Sequence, residues 1–277
     1  TGLPGAFSTR IAYVTLNRDK TSYSARLQVS DTDGYNPQTL LTSDQPIMSP
    51  AWSPDGSELA YVSFESGQAE IFTHNILTGV RKSRSKFQGL NGSPAWSPDG
   101  KKMAITLSKD GNPDIYVLNL SDNKLKRITN HWSIDTEATW LPDGKSIVYT
   151  SSRSGKPQLY RQSISANAKP ERLTYEGGYN ASASVSADGK SIAYVHGEGN
   201  IYRIAVLELA TKSSRILTDG PLDESPVYAP NNSMILFASQ EKNQAVLAAV
   251  SVDGRQKQRL AFTDGEVREP SWAPVRH

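Results

Sequence analysis

The chain has no cysteine among its 277 residues. This absence excludes disulfides, thiolate metal sites and cysteine nucleophiles. Long apolar runs are also missing, since the longest candidate, residues 245–250, has only the length of a strand, whereas a membrane-spanning helix needs about 20 apolar residues. We therefore expect no membrane span. The 30 basic and 28 acidic residues give a net charge of +2, without the basic footprint of a nucleic-acid-binding protein.

One eight-residue segment recurs along the chain with small changes, and its last copy is truncated. The copies are SPAWSPDG at 49–56, SPAWSPDG at 93–100, EATWLPDG at 137–144, SASVSADG at 182–189, SPVYAPNN at 225–232 and EPSWAP at 269–274. Their starts are 44, 44, 45, 43 and 44 residues apart. A period in the forties, with a tryptophan and a tight turn in most units, is typical of a propeller blade.

Each repeat divides into four short apolar or β-branched runs separated by turn residues, which predicts four antiparallel strands. The runs that we interpret as fourth strands are basic and end in threonine, at 127–129, 172–174, 215–218 and 259–263. The last repeat supplies only a first strand, and residues 10–14, 26–29 and 39–42 supply the three that it lacks.

The sequence therefore predicts an all-β, six-bladed β-propeller with four antiparallel strands per blade, formed by residues 1–277 as a single domain. Its last blade is closed by both termini, with three N-terminal strands and one C-terminal strand. Such a closure protects the strand edges that an open sheet would expose.

The most regular residues of the repeat are interpreted as scaffold. An aspartate in each turn is expected to cap that turn with its side-chain oxygen, at Asp55, Asp99, Asp143 and Asp188. The tryptophans of the repeat are expected to pack the blades together, at Trp52, Trp96, Trp140 and Trp272.

Catalytic signatures are scarce. The chain lacks a Gly-x-Ser-x-Gly elbow, a His-Glu-x-x-His motif and a phosphate-binding loop, and its histidines at 74, 131, 196 and 277 are scattered. We therefore predict a protein that is not an enzyme and has no cofactor and no catalytic residues. The gating propeller of a peptidase-like hydrolase and a purely architectural ring stay open as alternatives.

Function is expected where the repeats differ. In a propeller, the loops from a fourth strand to the next first strand gather at one mouth of the central channel, together with the loops between second and third strands. Carboxylates are predicted to converge on this mouth, namely Asp135, Glu137, Asp223, Glu224, Glu266 and Glu269. Polar and apolar residues join them, namely Asn91, Asn180, Met48, Leu90 and Tyr179.

An acidic, partly apolar mouth fits a basic protein surface or peptide, because complementary charge steers and orients the encounter. Two other interpretations stay open. The carboxylates could serve only to cap strands and solvate loops, or they could hold a cation in the channel.

Several further segments accompany the repeats in a fixed order: TRIAYV at 9–14, SDTDGYN at 30–36, FESG at 64–67, LSK at 107–109, TDGEV at 263–267 and PSWAP at 270–274. In this combination, over essentially the whole chain, the sequence resembles the TolB family, the periplasmic components of the Tol–Pal system of Gram-negative bacteria. The Trp-Ser-Pro-Asp-Gly motif alone is shared by many propellers, including those attached to peptidases.

The resemblance implies a monomeric, non-enzymatic periplasmic module that binds Pal, the peptidoglycan-associated lipoprotein, at the channel mouth. It also implies that colicins use the same surface and that the system supports outer-membrane integrity and cell division. Family members have an N-terminal α/β domain and a segment that engages TolA, neither of which is present in this chain. The resemblance thus implies contact with TolA only through that region.

By motif match, the resemblance assigns Pal contact to Leu90, Ser93, Thr136, Glu137, Asp223, Glu224 and Ser225. Leu90 departs from the family pattern, because relatives can carry a histidine there. Together with the residues chosen from loop divergence, the predicted partner-binding set is Met48, Leu90, Asn91, Ser93, Asp135, Thr136, Glu137, Tyr179, Asn180, Asp223, Glu224, Ser225, Arg268 and Glu269.

Overall fold

The computed structural model describes residues 9–18, 23–241, 244–260 and 265–275, in which β-strands form six four-stranded antiparallel sheets. The first strands of the chain are β1 (Arg10–Arg18), β2 (Tyr23–Asp31) and β3 (Gln38–Ser43). Blade 1 then comprises β4 (Ile47–Trp52), β5 (Glu58–Ser63), β6 (Glu70–Asn75) and β7 (Arg81–Ser85). Blade 2 comprises β8 (Asn91–Trp96), β9 (Lys102–Leu107), β10 (Asp114–Asn119) and β11 (Leu125–Arg127).

The remaining blades follow the same plan. Blade 3 comprises β12 (Asp135–Trp140), β13 (Ser146–Ser151), β14 (Gln158–Ser163) and β15 (Glu171–Arg172). Blade 4 comprises β16 (Tyr179–Val185), β17 (Ser191–Glu198), β18 (Ile201–Glu208) and β19 (Ser213–Ile216). Blade 5 comprises β20 (Asp223–Tyr228), β21 (Met234–Glu241), β22 (Gln244–Ser251) and β23 (Lys257–Arg259), and the last strand is β24 (Glu266–Trp272).

Blade 6 joins the two ends of the chain, because its strand order is β24-β1-β2-β3. Ile11 pairs with Trp272, and Leu16 pairs with Glu266, in an antiparallel ladder. This confirms the predicted six-bladed propeller and its closure by three N-terminal strands and one C-terminal strand. The described part of the chain holds no helix of the length and apolarity that a membrane crossing requires.

The fourth strands end earlier than the sequence predicted. The ladders stop at Arg127, Arg172, Ile216 and Arg259, whereas the predicted runs continue to 129, 174, 218 and 263, and residues 261–263 lie outside the described part of the chain. The reason is that, beyond these points, a third-strand N–H donates to a threonine hydroxyl and not to a backbone carbonyl of the fourth strand. The N–H of Ile115 donates to Thr129 Oγ1 over 2.9 Å, and Thr174 accepts equivalently from Leu159.

The core lies between the blades. Each hydrophobic cluster of the described residues combines two neighbouring blades, as where Ile115 of blade 2 packs with Tyr149 of blade 3. Large side chains on the second strands are almost fully buried: Tyr13, Tyr61, Ile105, Tyr149, Tyr194 and Phe237. The alternation of strand side chains puts one face of each sheet against each neighbour.

The tryptophans of the repeat link consecutive blades, which confirms their predicted packing role. The indole N–H of Trp96 donates to Ala51 O over 3.0 Å, and that of Trp140 donates to Ala95 O over 3.0 Å. Each of these bonds reaches the first strand of the preceding blade. A buried indole needs such an acceptor, because an unpaired polar group inside the core is costly.

The aspartates of the repeat cap their turns, as predicted. The carboxylate of Asp55 accepts the N–H of Ser57 over 3.0 Å, and that of Asp99 accepts the N–H of Lys101 over 3.1 Å. Asp143 and Asp188 do the same for Lys145 and Lys190. These turns form one face of the ring, which we call the turn face.

Candidate functional site

The opposite face, which we call the mouth face, brings two sets of loops together as predicted. The loops leading into first strands bond to the loops between second and third strands. Leu90 N donates to Ser108 Oγ over 2.8 Å, and Ile134 N donates to Ser152 Oγ over 3.1 Å. These bonds fix the rim of the central channel.

The channel itself is a cavity of about 740 Å³ lined by the first strands of all six blades. Every first strand contains a β-bulge, seen as a register shift such as the one between Thr136 and Thr139. A residue with positive φ sits at each bulge: Ser49, Ser93, Glu137, Ser182, Ser225 and Glu269. None is glycine, and a left-handed conformation costs such residues about 1–2 kcal/mol. Strain repeated in this way is a reason to look for function at these positions.

Glu137 and Glu269 occupy equivalent bulges in blades 3 and 6, on opposite sides of the ring. Each accepts the N–H of the bulge residue in the next blade. Glu137 Oε2 lies 3.0 Å from the N of Ser182, and Glu269 Oε2 accepts from the N of Ser49. Glu137 also accepts the hydroxyl of Thr150 over 3.0 Å. The two glutamates therefore stitch neighbouring blades together inside the channel.

The channel wall is electrostatically strained. Burial raises the pKa of Glu269, the Ser49 N–H and Arg268 oppose this shift, and Glu224 and Glu137 add to it. Burial, followed by Glu137 and other neighbours, raises the pKa of Tyr179 to about 12. A positive group brought into this channel would relieve the repulsion among the carboxylates.

In blades 1, 3, 5 and 6 the rim around the channel is formed by the residue before the bulge residue, whereas in blades 2 and 4 this residue is buried. Met48, Thr136, Glu224 and Arg268 share this position, and all but Thr136 are exposed. Arg268 pairs with Glu266 over 3.0 Å. Leu90, two residues before this position in blade 2, is 39% exposed. Ser93, Ser225 and Tyr179 are half-buried and line the channel.

Four predicted residues do not face the mouth. Asp135, Asp223, Asn91 and Asn180 are at most 1% exposed. The prediction that six carboxylates converge on the mouth is therefore wrong for Asp135 and Asp223. Strand side chains alternate, and the residue two positions before each bulge residue turns inward and is buried.

These buried residues hold the rim from below. Asp135 accepts from Arg153 Nη2 over 2.7 Å, and burial raises its pKa. Asp223 accepts the hydroxyl of Ser239 over 2.6 Å. Asn180 donates to Gln158 over 2.9 Å, and Asn91 accepts the hydroxyl of Ser85 over 2.7 Å; both of these partners lie in the preceding blade.

Two exposed apolar residues of the mouth face are absent from the predicted partner-binding set. Trp132 is 79% exposed and Ile134 is 52% exposed. A signal was available for both. Trp132 stands outside the repeated segments that contain the other tryptophans, and Ile134 precedes its first strand as Leu90 does.

No group of three or more His, Asp or Glu side chains in the described residues could hold a metal ion. His74 is buried in blade 1 and burial lowers its pKa, whereas His196 bonds to Asn180 over 2.8 Å. His277 lies outside the described residues. The three described histidines lie in different parts of the ring, namely His74 in blade 1, His131 in the loop before blade 3 and His196 in blade 4.

The comparisons with known proteins agree with this architecture. A family model described as the TolB beta propeller domain matches residues 1–276. The Tol-Pal system protein TolB of Xanthomonas campestris pv. campestris (strain B100) is 63% identical over 278 residues, covering all of this chain and 63% of the relative. The chain thus spans less than two thirds of the length of that relative.

Solved structures that resemble this chain include a member of the same family and a protein that shares only the fold. The crystal structure of TolB from Acinetobacter baumannii has a TM-score of 0.93 and 47% identity, covering 99% of this chain and 69% of that one. A puromycin-hydrolyzing peptidase of Mycobacterium tuberculosis has a TM-score of 0.64 and 17% identity, covering 90% and 44%, and shows a shared fold alone. The chain belongs to the TolB family of the Tol–Pal system.

Proposed function

We propose that this chain is a non-enzymatic protein-binding module of the periplasm that docks Pal over the mouth face. The half-buried carboxylates Glu137 and Glu269 in the channel carry this proposal. They are held in place by backbone N–H groups and lie near Glu224, which leaves negative charge in a concave site. Such a site fits a partner that inserts a basic or hydrogen-bonding group.

The apolar part of the rim supports a protein rather than a small ion as the ligand. Met48 is 41% exposed and lines the channel, and Leu90 is 39% exposed in the loop that leads into β8. Protein interfaces combine apolar contacts with polar groups in this way. The resemblance implies that relatives can carry a histidine at position 90, so the leucine of this chain predicts an apolar contact at this point.

The predicted set divides into two roles. Residues proposed to contact the partner are Met48, Leu90, Ser93, Thr136, Glu137, Tyr179, Glu224, Ser225, Arg268 and Glu269. Residues proposed to position the rim from beneath are Asn91, Asp135, Asn180 and Asp223. In this scheme colicin segments compete with Pal for the same face, and Pal binding is the contribution of this chain to outer-membrane integrity and cell division.

Glu224→Lys is the sharpest test, because Glu224 is exposed whereas Glu137 also holds blade 4. Titration calorimetry with the purified periplasmic domain of Pal should give saturable one-to-one binding to the unaltered chain. We expect Glu224→Lys to weaken it at least about tenfold, and less so at high salt. Thermal unfolding should hardly change.

Glu208→Lys is the matched control. Glu208 is an exposed glutamate at the end of β18, on the turn face, and its replacement changes the net charge by the same amount. It should leave binding within about twofold. Equal losses in both variants would indicate a general charge effect and not a site, and absence of binding to the unaltered chain would contradict the proposed function.

A further inference from the structure

Trp132 lies in the loop between β11 and β12 and is, at 79%, the most exposed aromatic side chain among the described residues of the mouth face. The tryptophans of the repeats are buried or half-buried, and the indole N–H of each has a protein acceptor, which for all but Trp272 lies in the preceding blade. Trp132 has no such packing role. Tryptophan is among the residues most enriched at the energetic centres of protein interfaces.

The loop that carries Trp132 is fixed on both sides of it. Asn112 Nδ2 donates to the carbonyl oxygens of His131 (2.5 Å) and Ser133 (2.8 Å). Ser133 N donates to His131 Nδ1 over 3.2 Å, and the Ser133 hydroxyl lies 2.7 Å from the same nitrogen. The His131 ring stands 5.2 Å from that of Trp132. A side chain displayed on a preorganised loop loses little entropy on binding.

Ile134 continues this apolar surface toward the channel. It is 52% exposed, and its backbone exchanges two hydrogen bonds with Ser152, at 3.1 and 3.0 Å. β12 begins at the next residue and leads to Glu137. We call the pair Trp132 and Ile134 the ledge.

The ledge lies within reach of a partner that covers the channel. Glu137 follows Trp132 by five positions, so their Cα atoms are at most about 17 Å apart. A standard protein interface buries about 800 Å² per partner, which corresponds to a disc with a radius of roughly 16 Å. A protein of ordinary size centred near Glu137 therefore extends to the ledge.

We propose that the ledge is an apolar anchor for the same protein partner that binds the mouth, and this inference rests on the proposed function. The partner presents an apolar patch that packs on Trp132 and Ile134. Its basic or hydrogen-bonding group enters the channel toward Glu137 and Glu224. Affinity then comes mainly from the ledge, whereas the carboxylates orient the encounter.

The test is titration of the complete chain with the purified periplasmic domain of Pal. We expect Trp132→Ala to weaken binding about thirtyfold and Ile134→Ala about threefold to tenfold. Leu77→Ala is the matched control, because Leu77 is 86% exposed in the turn between β6 and β7 on the other face. It should bind within twofold of the unaltered chain.

Salt separates the ledge from the carboxylates. The loss caused by Trp132→Ala should be the same at low and physiological salt, whereas the loss caused by Glu224→Lys should shrink as salt rises. Trp132→Arg is a second variant that retains the backbone bonds of the loop. Circular dichroism and thermal unfolding should show that both Trp132 variants remain folded.

Each contrary outcome has a distinct meaning. Normal binding by both folded Trp132 variants, with loss in Glu224→Lys, would overturn the anchor and leave the proposed function standing. No binding by the unaltered chain would overturn both. Self-association of the unaltered chain that disappears in Trp132→Ala, with Pal binding unchanged, would make the ledge a contact between copies and would also overturn the anchor.

Discussion

The two faces of this ring are built on opposite principles. On the turn face, turns of neighbouring blades pack against each other, as where Gly100 lies against Pro54 and Gly189 lies against Pro142. On the mouth face, the repeats share a strained backbone but differ in side chain, so that equivalent bulges carry serine or glutamate. The turn face repeats one contact between neighbouring blades, whereas the mouth face keeps the same bulge with different side chains and different side-chain hydrogen bonds.

The largest expected effect compares one glycine from each face. Gly189 has φ +69° in a turn, and a Cβ there would lie 3.2 Å from Pro142 Cδ. Gly199 has φ +62° on the mouth face, and a Cβ there would meet nothing within 4 Å. Both alanine variants incur about 1 kcal/mol of backbone strain. Crowding against Pro142 should raise the total loss of unfolding free energy in Gly189→Ala to about 2 kcal/mol.

Urea unfolding of Gly189→Ala and Gly199→Ala measures this difference directly, provided that the slopes with denaturant match. Equal losses of stability would show that contact between turns contributes nothing beyond local strain. The interpretation of this repeated contact as a stabilising one would then be wrong.

A smaller effect is expected at blades 4 and 5, where the turns do not have the proline and glycine of the other turns. In blade 4 the turn has Ala187 in place of proline, and in blade 5 it has Asn232 in place of glycine. The two changes compensate, because the N–H that proline would lack donates to Asn232 Oδ1 over 2.7 Å. Asn232 has φ +60°, which asparagine tolerates better than most residues.

A double-mutant cycle tests this compensation. Ala187→Pro removes the N–H and Asn232→Gly removes its acceptor, so each should lose about 0.5–1 kcal/mol from the hydrogen bond. The double variant restores the Pro–Gly contact of the other turns and should be at least as stable as the unaltered chain. Additive losses would contradict the compensation.

The sequence predicted the ring because its period, turns and tryptophans are local patterns that repeat. The closure by β24 and β1 followed from counting which strands the last repeat lacked. The fourth strands were misplaced by about two residues because a threonine hydroxyl at 129, 174 or 218 substitutes for a backbone partner. Such a replacement leaves the strand pattern of the sequence unchanged.

The candidate site was predicted less well. Asp135 and Glu137 look equivalent in sequence, yet one is buried against Arg153 and the other lines the channel. The direction of each side chain depends on the β-bulge. There, two residues of the first strand oppose one residue of the second strand, and the alternation of side chains is interrupted. A bulge carried by serine and glutamate has no glycine to reveal it, so only the folded backbone shows which carboxylates face the mouth.

The smallest expected effect concerns the charge of Glu269. Burial raises its pKa in the folded ring, so the folded state holds this proton more tightly than the unfolded chain does. The ionised carboxylate therefore opposes folding, and this cost is absent in acid and grows as pH rises from the ordinary glutamate pKa through the raised one. Glu269→Gln keeps an oxygen that can accept the Ser49 N–H but cannot ionise.

Glu269→Gln should thus gain stability relative to the unaltered chain as pH rises from about 4 to 8, and urea unfolding across that range measures the gain. If the difference in unfolding free energy between Glu269→Gln and the unaltered chain stays constant with pH, the pKa of Glu269 is not raised by folding. A bound partner that brings positive charge into the channel should reduce the gain, because it stabilises the ionised glutamate. The mouth face would then differ from the turn face because its ionised carboxylates are compensated by positive charge only in the complex.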